Sequence, residues 1–420
     1  MRLIDRLPRD GLFAALAYRP FALLWTSEVV SRVGDTLTNV ALAWWVLEET
    51  GSAAAMAKLL VATTVPMLLL LLVGGVVVDR VDRLRLLLVC DLVRGVCIAT
   101  VAVLAVLDAL AFWHLIALGA VFGTAIAFSY PAFVALTPAL VPVEAMTSAV
   151  SLRSLSVRAA SIVGPALGGV IVAAGGTSVA FGLDAASFAV SAGLVAATGR
   201  LVPAPPAAER RGGGIAGAAA DLREGFATVG GSPWLWVTIV VTCASLPAMI
   251  GPIQAVLPLL VDDELGGSVR DFALLTTAAA VGAVAVAVWL GQRGRRLRRR
   301  GPVLYASWLA AAACVAGLGL GTPAAVAVVL MLGYGVGWGL VNLLWATLLQ
   351  ELVPPERLGR LGRVASIDAL GSLGLAPVGY AVAGYAADRW GASPTFLVGG
   401  ITGAIVIAAG LLHPGVRAVD

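Results

Sequence analysis

Four polar residues lie at helical spacing in an apolar segment near the start of the chain: Glu28, Arg32, Asp35 and Asn39. At about 3.6 residues per turn, all four fall on one stripe of a helix. Charged groups at membrane depth cost at least about 2.5 kcal/mol each, so they should face water and pair with one another. We predict that Asp35 binds and releases protons, with Glu28 and Arg32 as its partners in proton coupling. The alternative is a static ion pair that only orders the helix bundle.

Other polar and aromatic residues are candidates to line a substrate cavity. Gln254 lies among Pro247, Pro252 and Pro258, which interrupt the backbone hydrogen bonding of their helix. Broken helices at membrane depth are accepted where they line a cavity. The predicted cavity residues are Asn39, Gln254, Asn342, Trp338, Trp345 and Arg158. For Gln254 the alternative is a passive kink. For the others it is helix packing or interfacial anchoring, as it is for the polar residues Asp91, Arg94 and Asp184 of other spans.

Apolar segments must position these residues. The chain is 60% hydrophobic and 12% charged, with a mean hydropathy of +0.97, which is typical of an integral membrane protein. Apolar runs of about twenty residues, long enough to cross a bilayer as helices, begin near residues 21, 53, 86, 113, 150, 177, 233, 268, 302, 323, 363 and 392. The alternation expected of a membrane β-barrel is absent from them. We therefore predict an all-α membrane protein with twelve transmembrane helices.

An internal repeat divides these spans into two equal sets. The pattern Leu-Val-Pro-x-Glu occurs at 140–144 and again at 352–356, and Pro165 and Pro377 share the same offset of 212 residues. Equal spacing of several landmarks at half the chain length indicates duplication. We predict two pseudo-symmetric six-helix bundles, at residues 1–200 and 233–420. Residues 201–232 form the predicted cytoplasmic linker, whose second part has the spacing of an amphipathic helix.

The arginines predict how the chain crosses the membrane. Alternate connections are rich in arginine, and the opposite ones carry mainly acidic residues such as Glu48, Glu49, Asp262 and Asp263. By the positive-inside rule both termini are cytoplasmic. This distribution also explains the net charge of +4 without nucleic-acid binding. Membrane lipid is the expected surrounding of the protein.

Several kinds of chemistry are excluded by what the sequence lacks. It contains no phosphate-binding Gly-x-x-x-x-Gly-Lys loop, and Lys58 is its single lysine. Its two histidines, His114 and His413, lie in different halves, so neither a metal cluster nor a nucleophile triad is visible. We expect no enzymatic activity, no cofactor and no metal.

The residues that join the second and third spans resemble the signature loop of the major facilitator superfamily. Gly75, Asp79, Arg80 and Arg83 stand where glycine, aspartate and arginine recur in that family. The resemblance implies a conformational latch. In it, Asp79 caps the positive end of the eleventh helix and favours the state closed to the cytoplasm.

A second motif is similar to that of the drug:proton antiporters in this superfamily. Gly164, Pro165, Gly168 and Gly169 lie in the fifth span, where small residues permit close helix approach. Over essentially the whole chain, the likeness is to the branch that contains siderophore exporters and macrolide efflux proteins. This implies proton-driven efflux of amphipathic molecules through a cavity between the two halves.

These observations lead to a working hypothesis. The chain is expected to be a monomeric, proton-coupled exporter of small molecules in the bacterial inner membrane, acting by alternating access. A small-molecule importer or a lysophospholipid flippase of the same fold is the alternative, since topology does not separate the directions of transport. A membrane-anchored interaction or sensory protein is the non-transport alternative, although the longest extramembrane segment is only the linker.

Overall fold

The computed structural model describes residues 11–78, 80–202, 232–293, 299–352 and 374–418, and twelve long helices lie in these ranges. In chain order they are α1 (Arg19–Thr50), α2 (Ala53–Val78), α3 (Arg83–Val106), α4 (Phe112–Leu140), α5 and α6 (together Val143–Gly199), α7 (Pro233–Glu264), α8 (Val269–Arg293), α9 (Arg300–Leu318), α10 (Ala324–Leu352), α11 (Ala376–Trp390) and α12 (Ala392–Leu411). Short helical turns at Ala14–Ala17 and Pro414–Arg417 flank them.

The helices follow the predicted spans. Helices α5 and α6 meet at Gly176, whose φ of 79° and ψ of 174° suit glycine alone among the common residues. Counting α5 and α6 together, nine helices of the described ranges are long and apolar enough to cross a membrane, and α1, which carries the polar stripe, is not among them. The predicted all-α, twelve-helix class is confirmed. The eleventh predicted span, from about residue 363, is described only from residue 374 onward.

The described chain divides into two compact units. The first contains the described residues up to Trp45 and those from Ala62 to Val202; the second contains Val46–Val61 and the described residues from Ser232 onward. The short connection between α1 and α2 therefore belongs to the second unit. The predicted linker helix lies outside the described residues, which end at Val202 and resume at Ser232.

Each unit brings two of its helices into backbone contact through glycine. A Cβ atom on Gly123 of α4 would overlap the Thr63 carbonyl oxygen of α2. A Cβ atom on Gly335 of α10 would overlap the Ala279 carbonyl oxygen of α8 in the same way. The two glycines are 212 residues apart, which is the offset of the repeated motif. The duplication seen in the sequence is thus repeated in the packing of the helices.

The connection between α1 and α2 is fixed by a carboxylate of α11. Asp388 accepts a hydrogen bond of 2.5 Å from the Ser52 hydroxyl and one of 2.8 Å from the backbone N–H of Ala53. Both groups stand at the start of α2, where backbone N–H groups have no partner within the helix. Asp388 therefore caps α2 from another element of the second unit, in the position where the helix dipole favours a negative charge.

Replacing Asp388 with alanine is expected to lower the free energy of unfolding by about 1 kcal/mol, because the α2 cap is lost. Denaturant titration of the detergent-solubilised protein measures this loss. Arg389→Ala is the matched control, because Arg389 is an exposed neighbour on the same helix turn. Equal unfolding energies for the two variants would show that the cap contributes nothing.

Candidate functional site

The first unit contains a polar cavity of about 220 Å³. Its lining comes from α1, α3, α4, α5 and α6: Ser27, Glu28, Ser31, Arg32, Asp35, Leu87, Asp91, Arg94, Ile126, Ser129, Tyr130, Phe133, Arg153 and Ser191. Three arginines and three carboxylates are present, so the ionised lining has no net charge. Buried charges of this kind persist only when they are paired and hydrogen-bonded. The charged side chains of this cavity therefore need partners, and two networks of ion pairs supply them.

The first ion-pair network is centred on Glu28. Arg32, one turn along α1, donates to Glu28 Oε1 over 2.5 Å. Arg153 reaches the same oxygen from α5, with its Nε 3.3 Å away. The guanidinium of Arg153 also lies over the rings of Tyr130 and Phe133 on α4, at 5.6 and 5.0 Å from their centroids. One carboxylate thus links α1 to α5, and the cation–π contacts extend the link to α4.

The second network is centred on Arg94 of α3. Its Nη2 donates to Asp35 Oδ2 over 2.5 Å, and its Nη1 lies 3.8 Å from Asp91 Oδ1. The guanidinium lies between two aromatic rings, 4.8 Å from the Phe122 centroid and 4.4 Å from that of Phe188. Arg94 is therefore a buried cation that serves two carboxylates and is held in place by two rings.

Some polar atoms of these networks have no partner. In the described part of the chain, no hydrogen-bond partner is present for Glu28 Oε2, Asp35 Oδ1, Arg32 Nε or Arg94 Nε. Unpaired polar atoms in a buried site are costly unless water or a ligand meets them. Of these four atoms, the two carboxylate oxygens can accept a proton or a hydrogen bond from water or cargo, and the two arginine Nε–H groups can only donate a hydrogen bond.

The predicted proton-coupling residues come together here, and the predicted cavity residues do not. Glu28, Arg32 and Asp35 all line the cavity, whereas Asn39 is exposed and Arg158 is half-buried outside its lining. The other four predicted cavity residues belong to the second unit: Gln254, Asn342, Trp338 and Trp345. For all six residues, a role in a substrate cavity stays a prediction.

The four residues of the second unit have local explanations. Gln254 is exposed in a π-helical turn, Pro252–Val256, which the prolines of α7 produce. Asn342 donates to the Trp338 carbonyl oxygen of its own helix over 2.8 Å. Trp345 packs edge-on against Trp234, with ring centroids 5.9 Å apart, beside a void of about 10 Å³. That void has room for about one water molecule.

The small residues of the fifth span pack against α1 beside its polar stripe. A Cβ atom on Gly164 would overlap the Thr36 hydroxyl, and one on Gly168 would lie 3.2 Å from Val40 Cβ. Thr36 also donates to the Ala160 carbonyl oxygen of α5 over 3.3 Å. Gly169 is buried and Pro165 half-buried on α5. The motif thereby holds α5 close to α1 next to Asp35, which fixes the geometry of the cavity.

The predicted latch is described only in part. Gly75 lies near the end of α2 with open space where a Cβ would stand, and Arg80 is exposed. Arg83 begins α3 and makes a long contact, 3.5 Å, to the Ala135 carbonyl oxygen. Asp79 lies outside the described residues, as does the segment before residue 374 that it is predicted to cap. The latch therefore stays a prediction.

The fold matches those of solved membrane transporters. A solved POT family transporter in complex with 5-aminolevulinic acid matches with a TM-score of 0.73 over 97% of this chain and 98% of its own, at 11% identity. A solved D-xylose-proton symporter matches with a TM-score of 0.66 over 94% of this chain and 96% of its own, at 15% identity. At these identities the likeness concerns the fold alone, and it confirms the predicted major facilitator fold.

Residues 10–417 match the transmembrane secretion effector family, and the chain belongs to that family. Macrolide efflux protein A of Streptococcus pyogenes is 23% identical over 405 residues, which cover 95% of this chain and 96% of that protein. The resemblance to the macrolide-efflux branch of the major facilitator superfamily is confirmed. The protein is a multi-pass membrane transporter and not an enzyme.

Proposed function

We propose that this transporter exports amphipathic small molecules, of drug, macrolide or siderophore type, in exchange for protons. It acts by alternating access in the bacterial inner membrane, as a monomer with both termini in the cytoplasm. The observation that carries the proposal is the Asp35–Arg94 ion pair in the wall of a polar cavity. The name of the Streptococcus pyogenes relative supports efflux as the direction of transport.

Proton binding at Asp35 changes the contact between α1 and α3. The side chain of Asp35 is 27% exposed, so a proton can reach it from the cavity. Protonation removes its charge, and the charge-assisted hydrogen bond to Arg94 is lost. Arg94 then keeps only Asp91 and the two aromatic rings as partners. A proton that enters from the outer side therefore loosens α1 from α3 and favours release of the cargo outward.

The cavity wall fits one end of an amphipathic cation. Glu28 Oε2 and Asp35 Oδ1 are buried acceptors without a partner among the described residues, and the apolar side chains of Leu87, Ile126 and Phe133 line the same cavity. At about 220 Å³, the cavity is smaller than the roughly 300–1,000 Å³ of pockets that enclose a whole drug. It therefore holds the charged end of a larger cargo. Competition between that cation and a proton for Asp35 is what couples the two fluxes.

Reconstitution in liposomes with an acidic lumen tests the proposal. Macrolides, siderophores and lysolipids are added outside, and a dye reports the pH of the lumen. We expect proton efflux from the lumen only when a cargo of the right class is present. Asp35→Asn is expected to reduce gradient-driven uptake of that cargo to the level of protein-free liposomes, because the proton-binding group is removed.

The controls separate the competing functions. Glu49→Gln makes the same carboxylate-to-amide change at an exposed position of α1 and should transport normally. Undiminished transport by Asp35→Asn would remove Asp35 from the mechanism. Cargo movement without any proton flux would contradict proton coupling, and gradient-independent movement of a lysolipid between leaflets would favour a flippase.

A further inference from the structure

Asp184 of α6 is a carboxyl group that the mechanism above does not use. It is completely buried, at 0% exposure. Its Oδ1 accepts a hydrogen bond of 3.0 Å from the Ser187 hydroxyl one turn along α6. A Cβ atom on Gly34 would overlap the same oxygen, so the carboxyl group lies directly against the backbone of α1 beside Asp35. Glycine at position 34 is what leaves room for it.

Among the described residues, two charged groups face Asp184. They are the carboxylate of Asp35 on α1 and the guanidinium of Arg94 on α3. Arg94 is directed to Asp35 and Asp91, and Asp184 makes no ion pair within the described ranges. The hydroxyl of Thr38 also faces the group and makes a weak hydrogen-bonding contact with the carboxyl, but its geometry falls short of a full hydrogen bond, so Thr38 Oγ1 and Asp184 Oδ2 are unpaired by that measure among the described residues.

This environment suits a neutral carboxylic acid better than a carboxylate. A buried carboxylate without a cation costs several kcal/mol, and the nearby Asp35 carboxylate adds repulsion. A protonated Oδ2 instead supplies a donor. The Thr38 hydroxyl faces the carboxyl group, and Asp35, next to Gly34 on α1, has an acceptor without a partner in the described ranges, Oδ1. One proton on Oδ2 would therefore supply one donor in a place where buried acceptors lack partners.

We propose that Asp184 is a second proton-binding residue and that it shares Arg94 with Asp35. In the arrangement seen here, Asp184 holds a proton while Asp35 is ionised and paired with Arg94. The proton can move from Asp184 Oδ2 to Asp35, which leaves Asp184 ionised; Arg94 stays charged and turns to the new carboxylate. Asp35 then passes the proton to water in the cavity. The inference rests on the proposed proton coupling, for which it names a second site.

Infrared spectroscopy of the purified protein tests the protonation directly. At neutral pH we expect a carbonyl-stretch band of a buried carboxylic acid in the unmodified protein. This band should be lost in Asp184→Asn and kept in Asp91→Asn. Asp91 is the matched control because it is another buried aspartate, which already accepts a 2.7 Å hydrogen bond from Ser191 and faces Arg94. Absence of the band in the unmodified protein, or its persistence in Asp184→Asn, would overturn the proposal.

Transport measurements test the exchange between the two carboxyl groups. In liposomes, Asp184→Asn is expected to keep exchange of labelled for unlabelled cargo, since Asn has nearly the shape of a neutral aspartic acid. It should lose accumulation driven by a pH gradient. Full gradient-driven accumulation in this variant would show that the proton on Asp184 never moves. If the unmodified protein fails to couple cargo to protons, the proposed function is wrong, whereas the infrared band still decides whether Asp184 is protonated.

Discussion

Replacing Arg94 with methionine is expected to lower the free energy of unfolding by about 3–5 kcal/mol and to abolish transport. The side chain of Arg94 is only 10% exposed, and its guanidinium serves both Asp35 and Asp91. Methionine fills the space between Phe122 and Phe188 but leaves the buried Asp91 and the half-buried Asp35 without a cation. Removing one partner of a buried ion pair is costly because the remaining charge cannot be solvated.

The sign of the pH dependence makes this prediction specific. The carboxylates of Asp35 and Asp91, which have lost their cation in Arg94→Met, lose their charge when they bind protons. The variant should therefore regain stability as the pH falls. Denaturant titration in detergent at several pH values measures this recovery. Arg158→Met makes the same substitution at a half-buried arginine outside the cavity lining and should change stability by less than about 1 kcal/mol. Equal losses in both variants at every pH would contradict the argument.

The transmembrane helices could be predicted because a bilayer allows few alternatives. Backbone groups without partners are too costly in lipid, so a long apolar run has to be a helix. The break between α5 and α6 lies at Gly176, one residue before the predicted start of the sixth span near residue 177. Helix ends that lie outside the apolar run are harder to predict. Helix α5 begins at Val143, before the predicted start near residue 150. Hydropathy locates the part of a helix in lipid and not its polar end.

The site could be predicted only as far as one helix determines it. The i, i+4 spacing allowed the contact between Glu28 and Arg32, and the stripe placed Asp35 on the same face. The partner of Asp35 could not be predicted from the sequence, because Arg94 lies on α3 and the 2.5 Å contact depends on how α1 and α3 pack. Asp91 and Arg94 give a signal, two opposite charges three residues apart in an apolar span, but for each residue alone the sequence favours helix packing.

Polarity alone was a weaker guide in the second unit. Asn342 satisfies its amide on the Trp338 carbonyl oxygen of its own helix over 2.8 Å, which a polar side chain in any membrane helix can do. By contrast, Arg153 is not among the site residues predicted from the sequence, although it links α5 to Glu28 over 3.3 Å. A polar residue that local bonding cannot satisfy needs a partner from another helix. The charged residues of α1, α3 and α5 are of this second kind.

Alanine at Gly123 and at Gly335 is expected to destabilise the protein by about 2–3 kcal/mol in each case, because the added Cβ forces two helix backbones apart. Each Cβ would overlap a carbonyl oxygen of the neighbouring helix, that of Thr63 in one unit and that of Ala279 in the other. A carbonyl oxygen within a helix cannot turn away, so the helices themselves must separate. The free energy of unfolding in detergent measures the loss.

The matched control is Gly193→Ala on α6, where the added Cβ would meet nothing within 4 Å. This change should leave stability unchanged or raise it by roughly 0.5–1 kcal/mol, since alanine favours the helix more than glycine does. Gly123 and Gly335 are related by the offset of the internal repeat, so their losses should be similar. They should also add in the double variant, because the two contacts share no residue. A large loss at one glycine and none at the other would show that the two units no longer use the duplicated contact in the same way.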